Sequence, residues 1–239
     1  MFNGKSLLRS KNPQTHAILA DFAYLCTIMS NIPQTTDTPL AAETIPDKIR
    51  EIKQELRAMM NGPISQAMRQ RGLTYKVNFG VELPRLQEFA ATLPHDRRLA
   101  LALWQEDIRE CRLLAGMLMP PNEFSADLAE LWFESIRFTE EADCTVFHLL
   151  REESWASELI MPWLASERPL FRYGAYILLC QLLRQGKRLT TRDAMEFLDH
   201  ARSDIEGTER SVALAARRAV LRYSECGMAE ERLAATFLH

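Results

Sequence analysis

The chain has 239 residues, of which 47% are hydrophobic and 26% charged, with 9 glycines and 11 prolines. That composition belongs to a folded globular protein, and it excludes a collagen, a disulfide-stapled miniprotein and a low-complexity tail. A formal charge of −3 supplies no global polycation, so any grip on nucleic acid has to come from a local patch.

Residues 1–45 read as an N-terminal tail or linker. The stretch Asn31–Pro46 (NIPQTTDTPLAAETIP) holds three prolines and several threonines without helical periodicity. Part of the tail can lie upstream of the natural start, because Met29 opens a polar N-terminus. From residue 46 onward the apolar spacing is helical, so 46–239 is expected to be one helical domain. Ile49, Ile52, Leu56 and Met59 share one face of a helix over 47–60, which Asn61-Gly62-Pro63 stops. Further helices are expected at 63–71, at 84–92 behind Pro84, and at 96–105, 107–119, 125–136, 139–150, 154–165, 168–185, 190–202, 207–226 and 228–238.

Asp107 and Glu110 have the spacing of a capping box ahead of Leu113–Met119. Gly186 and Gly227 stand where helices end. The run Thr74–Val81 (TYKVNFGV) is strand-like but has no partner strand, and an isolated strand is unstable, so it is expected as a loop. The fold class is all-α. Short connections favour antiparallel neighbours, and two-helix units recur every 30–45 residues or so. That pattern predicts a curved, HEAT-like solenoid with a concave binding face.

The five cysteines, Cys26, Cys111, Cys144, Cys180 and Cys226, are at least 33 residues apart, which offers no metal knuckle and no pairing scheme. A reducing cytoplasm is the expected compartment. The longest uncharged apolar run, Tyr173–Leu183, has 11 residues, well short of the roughly 20 that a membrane span needs. His148 with Glu152, and Glu196 with His200, are helical i, i+4 pairs, but two ligands do not make a metal site. His16 and His239 are terminal. No phosphate-cradling, dinucleotide or nucleophile-elbow glycine pattern is present.

Residues 165–225 carry eleven basic and eight acidic side chains while the whole chain is acidic. This asymmetry points to an anionic partner. Arg218 and Arg222 are four apart and share a helix face, and Arg217 adjoins them. Arg172, at a helix start, is placed to cradle a phosphate. The four tryptophans, Trp104, Trp132, Trp155 and Trp163, have core spacing, with Trp132 the candidate for groove exposure.

The segment Asn78-Phe79-Gly80-Val81-Glu82-Leu83-Pro84-Arg85-Leu86, followed by Leu101–Trp104 and Ile108-Arg109-Glu110-Cys111-Arg112-Leu113-Leu114-Ala115, resembles the AlkD-like DNA alkylation repair family. Pro162–Ser166 and Phe171–Ala175 fall where that family has two further helix starts, and the likeness covers about residues 47–238. The resemblance implies a stack of HEAT-like helix pairs that binds duplex DNA in its concave face. In active members it implies excision of N3- or N7-alkylated purines by a DNA glycosylase. Such a purine is cationic and leaves readily, a carboxylate steadies the oxocarbenium ion that forms on the sugar, and aromatic faces attract the cation. The chemistry calls for no metal, nucleotide or redox cofactor.

The resemblance places Asp143 at the catalytic carboxylate. Thr139 stands where active members carry an aromatic, and Phe138 and Trp132 are the nearby aromatics that could take its place. The family's later arginine falls at Arg172 or, one residue on, at Tyr173. An aromatic of the last long helix falls near Arg217–Arg218. The leading expectation is a monomer that binds alkylated duplex DNA through Arg172, Arg217, Arg218, Arg222, Trp132 and Phe138. The rival is a non-catalytic scaffold of the same fold that binds protein or structured nucleic acid.

Overall fold

The computed structural model describes residues 44–237; the tail expected over 1–45, save its last two residues, and Cys26, His16 and His239 lie outside them. Helix α1, Ile45–Ala58, begins two residues earlier than its apolar spacing suggests. Pro46 sits in its first turn and the Thr44 hydroxyl caps the Asp47 amide. The following helices are α2 (Gly62–Gln70), α3 (Leu83–Ala90), α4 (Arg97–Trp104), α5 (Arg109–Leu118), α6 (Ala126–Ser135), α7 (Thr139–His148), α8 (Ile160–Leu164), α9 (Pro169–Arg184), α10 (Thr191–Glu206), α11 (Arg210–Ser224) and α12 (Met228–Phe237). Asn61, Asp96, Ser125 and Thr190 each cap the helix that follows through a side-chain oxygen.

Two expectations are corrected. The helix expected over 154–165 is a 3-10 turn, Ser154–Leu159, running into the short α8. Pro162 has no N–H to give and its ring crowds the carbonyl four residues back, so it is accommodated in the first turn of α8 but a regular α-helix cannot extend from there back to residue 154. The capping box expected from Asp107 and Glu110 does not form: Ile108 is the N-cap of α5 and makes no side-chain cap bond. Glu110 reaches instead to the 78–81 loop, accepting from the amides of Phe79 (3.1 Å), Gly80 (3.0 Å) and Val81 (3.2 Å).

The strand-like run is a loop, as expected, tethered by a single parallel bridge between Val77 and Ile108. Gly80 has φ +75°, and a Cβ there would press on the carbonyl of Asn61 and come within 2.6 Å of the Ser65 amide. Only glycine fits both demands. The N-F-G-V and R-E-x-R segments are thus two halves of one buried contact.

Helices α3, α5, α7, α9 and α11 pack in that order into one continuous row. α10 backs α11, the 3-10 turn and α8 back α9, and α12 closes on α10 and α11. Polar contacts between successive units span a nearly constant step: Phe79 to Glu110 is 31 residues, Arg109 to Glu140 is 31, Asp143 to Tyr173 is 30 and Arg172 to Asp204 is 32. Aromatic side chains fill the layers. Trp104 stacks on Trp132 at 4.0 Å between centroids, with the Arg112 guanidinium 4.1 Å from the Trp104 ring. Phe133, Trp163 and Phe171 make the next cluster, and Tyr176, Phe197 and Tyr223 the last. Among the described residues no helix is long and apolar enough to cross a membrane.

Candidate nucleic-acid interface

The first five residues of α7 include three acidic residues with different partners. Glu140 takes the Arg109 guanidinium in a bidentate pair at 2.9 and 3.1 Å. Glu141 is fully buried and takes Arg112 at 2.6 and 3.2 Å and the Arg137 amide at 2.9 Å. The Arg112–Glu141 pair is buried and satisfied by further bonds, the condition under which buried ions are tolerated, whereas Glu140 stays partly exposed over buried Arg109.

Asp143, which lines a cleft together with Glu140, has no guanidinium partner of this kind among the described residues. Its Oδ1 accepts a hydrogen bond from the Tyr173 hydroxyl of α9 at 2.9 Å. Burial pushes its carboxyl above the ordinary range, while the Tyr173 bond and the Arg218 charge pull it down and Glu140 pushes it up.

Asp143 and Phe147, one turn apart on α7, together line two clefts. The first, of about 450 Å³, lies against Leu83 and Gln87 of α3, Leu113 of α5, and His148 and Arg151. The second, of about 320 Å³, lies against Ile177, Cys180 and Arg184 of α9 and Arg218, Leu221 and Arg222 of α11. Arg184 and Arg222 continue into a third hollow with Arg188. Burial, with Arg151 nearby, lowers the pKa of the His148 imidazole. Burial also pushes the Cys180 thiol up to about 11, against the pull of Arg222, Arg218 and Arg184. Neither group is built as a nucleophile.

Of the residues that the sequence nominated, Asp143, Arg218 and Arg222 meet at the second cleft; Arg217 is exposed beside them on α11. Arg222 also pairs with Glu225 at 2.7 Å. Three nominations are corrected. Arg172 is no phosphate cradle: its Nε donates to Asp204 at 2.9 Å and its Nη1 to the Ser166 carbonyl at 2.8 Å, which ties α9 to α10. Trp132 is 2% exposed in its stack with Trp104. Phe138, half-buried at the N-cap of α7, packs on Tyr75 with centroids 4.4 Å apart and lines neither cleft.

Sequence reasoning missed Phe147 and Arg184. Phe147 looks like a core residue in an apolar run, but its position four residues after Asp143 puts the two on one face. Tyr173, rather than Arg172, is the residue that meets Asp143.

Residues 52–216 match the family model for the DNA alkylation repair enzyme, more than two thirds of the chain. The chain belongs to the DNA alkylation repair enzyme family. Among solved structures it is similar to a member of "a new family of proteins related to the HEAT-like repeat DNA glycosylases with affinity for branched DNA structures". The TM-score is 0.69 at 18% identity, over 79% of this chain and 80% of the other. That likeness is one of fold, and the architecture is an all-α stack of HEAT-like helix pairs. No curated protein matches the chain. Tyr173 is the residue that donates to Asp143, the carboxylate that the family likeness nominates.

Proposed function

We propose that this protein binds DNA along the row α3–α11, gripping backbone phosphates with Arg184, Arg217, Arg218 and Arg222. The observation that carries the reading is the second cleft, where Arg184, Arg218 and Arg222 converge around a half-buried carboxylate. Guanidinium groups suit phosphate geometry and bind it with charge-assisted hydrogen bonds. Membership of a DNA repair family and the branched-DNA affinity of the structural neighbour point to the same class of partner.

The test is fluorescence anisotropy with a labelled duplex over a range of salt concentrations. Affinity should fall as salt rises, and the triple variant Arg184→Ala/Arg218→Ala/Arg222→Ala should flatten the slope by about 0.9 for each phosphate no longer neutralised. Binding by the folded protein that did not respond to salt or to the triple variant would sink the reading.

A second reading, excision of alkylated purines, is favoured by Asp143 itself, a carboxylate open to both clefts. Two features weigh against it. Arg218 faces Asp143 closely enough to lower its pKa and would repel a cationic base, and Tyr173 already occupies one carboxylate oxygen. Release of methylated purines from alkylated duplex by wild type, abolished in Asp143→Asn, would establish excision. Well-folded protein that binds DNA and releases nothing would leave binding alone.

A further inference from the structure

Phosphate binding explains the arginines but not the apolar side chains set among them. Seven large apolar residues are exposed among the described residues, and three of them, Leu83 (45%), Phe147 (36%) and Leu221 (62%), line the two clefts beside Asp143. They lie on α3, α7 and α11, spaced along the same helix row as the cations. The backbone of a paired duplex offers nothing for an aromatic face to touch. A nucleobase out of its stack offers a π-face, and sites for single-stranded nucleic acid combine a basic track with aromatic platforms.

We propose that the cleft bounded by α3, α5 and α7 takes one unpaired nucleobase of a DNA strand, that Phe147 stacks on it, and that Arg184, Arg218 and Arg222 hold the adjoining phosphates. The inference rests on the DNA-binding reading above and names its preferred ligand: a duplex interrupted by an extrahelical base, a gap or a branch.

The first cleft has the make-up of a base site. Its volume of about 450 Å³ falls within the roughly 300–1,000 Å³ of small-ligand pockets. Leu83, Leu113 and Cys144 give it apolar walls, and the Gln87 amide, a donor and an acceptor, stands at its edge with His148. Phe147 is shared with the second cleft, so a base on one side of the ring would have its sugar–phosphate backbone directed to the arginines on the other. Buried Arg109 is already committed to Glu140 and the Val81 carbonyl. Arg151, which also lines this cleft, pairs with Glu152 at 2.9 Å, and the three arginines that converge, Arg184, Arg218 and Arg222, lie on the far side of the ring.

The experiment compares affinities for a fully paired duplex and for the same duplex carrying one extrahelical adenine. Wild type should favour the interrupted duplex. Phe147→Ala should reduce the ratio of the two affinities by about tenfold, the effect of losing one aromatic–base stack. Phe147→Tyr, which keeps the ring, should retain the ratio, and Phe147→Leu, which keeps apolar bulk without a π-face, should lose it. Equal affinity of wild type for both duplexes, or a ratio retained in Phe147→Leu, would overturn the inference while DNA binding stood. No binding to either duplex would overturn the DNA reading as well. Circular dichroism of each variant establishes that it is folded.

Discussion

The Tyr173 hydroxyl donates to Asp143 Oδ1 at 2.9 Å, joining consecutive helices of the row across 30 residues of sequence. The bond orients the carboxylate towards the clefts and counters part of the cost of its burial. It also divides the local charge: Glu140 and Glu141 are neutralised by Arg109 and Arg112, whereas Asp143 has only a phenol and the nearby Arg218.

That arrangement gives Asp143 a distinct pH signature. Burial holds its carboxyl above the ordinary value of 3.8. A folded-state pKa above the unfolded one means that the group's contribution to stability is complete below the unfolded pKa and is lost as pH rises through the folded pKa. Asp143→Asn removes this loss. The variant should therefore unfold at the same or higher urea concentration than wild type at neutral pH, with its relative advantage shrinking as pH falls below the carboxylate range. A variant less stable than wild type by a constant amount at every pH would contradict this.

Glu110 should be one of the most costly positions in the chain. It is fully buried and accepts three loop amides, so Glu110→Ala leaves the buried Phe79 and Val81 amides without an acceptor, while Gly80 keeps Asn78 Oδ1 and Arg109 keeps Glu140. The expected loss is about 3–5 kcal/mol in urea unfolding. Glu110→Gln retains an acceptor oxygen and should lose less.

Gly174 lets α9 approach α6. A Cβ at this position would collide with the Phe133 ring, which is itself fixed between Trp163 and Phe171. Gly174→Ala should destabilise by about 1–3 kcal/mol through overpacking. The penalty should be smaller in a Phe133→Leu background, which a double-mutant cycle on thermal midpoints would read.

Arg172 and Arg218 should separate stability from binding. Arg172→Ala breaks the Asp204 pair, and the loss should be about 1.5–3 kcal/mol of unfolding free energy, the worth of hydrogen bonds to a charged group. Its salt slope for DNA should stay as in wild type. Arg218→Ala should leave unfolding nearly unchanged and lower the salt slope by about one. The opposite pattern would exchange their roles.

Much of the architecture is legible in the chain alone. The helical spacing of Ile49, Ile52 and Leu56, the stop at Asn61-Gly62-Pro63 and Pro84 at a helix start all act within one or two turns of chain. The site is legible only in part. Asp143 and the Arg218–Arg222 pair can be nominated from family likeness and helical spacing. The one-residue choice between Arg172 and Tyr173 cannot be made that way, because successive helical residues point about 100° apart and only the packed neighbour shows which of them faces Asp143.

By itself, then, the sequence determined what depends on local chemistry: most of the helices, the all-α class and the approximate repeat. Tertiary structure alone decided which side chains are held and which face the clefts. Arg172 is drawn to Asp204, 32 residues away, and Trp132 is covered by Trp104, whereas Phe147 lies beside Asp143 in the open. The physical reason is range. Capping and periodicity operate over a few residues, but burial and ion pairing are settled by whatever the next repeat brings alongside, about 30 residues further along the chain.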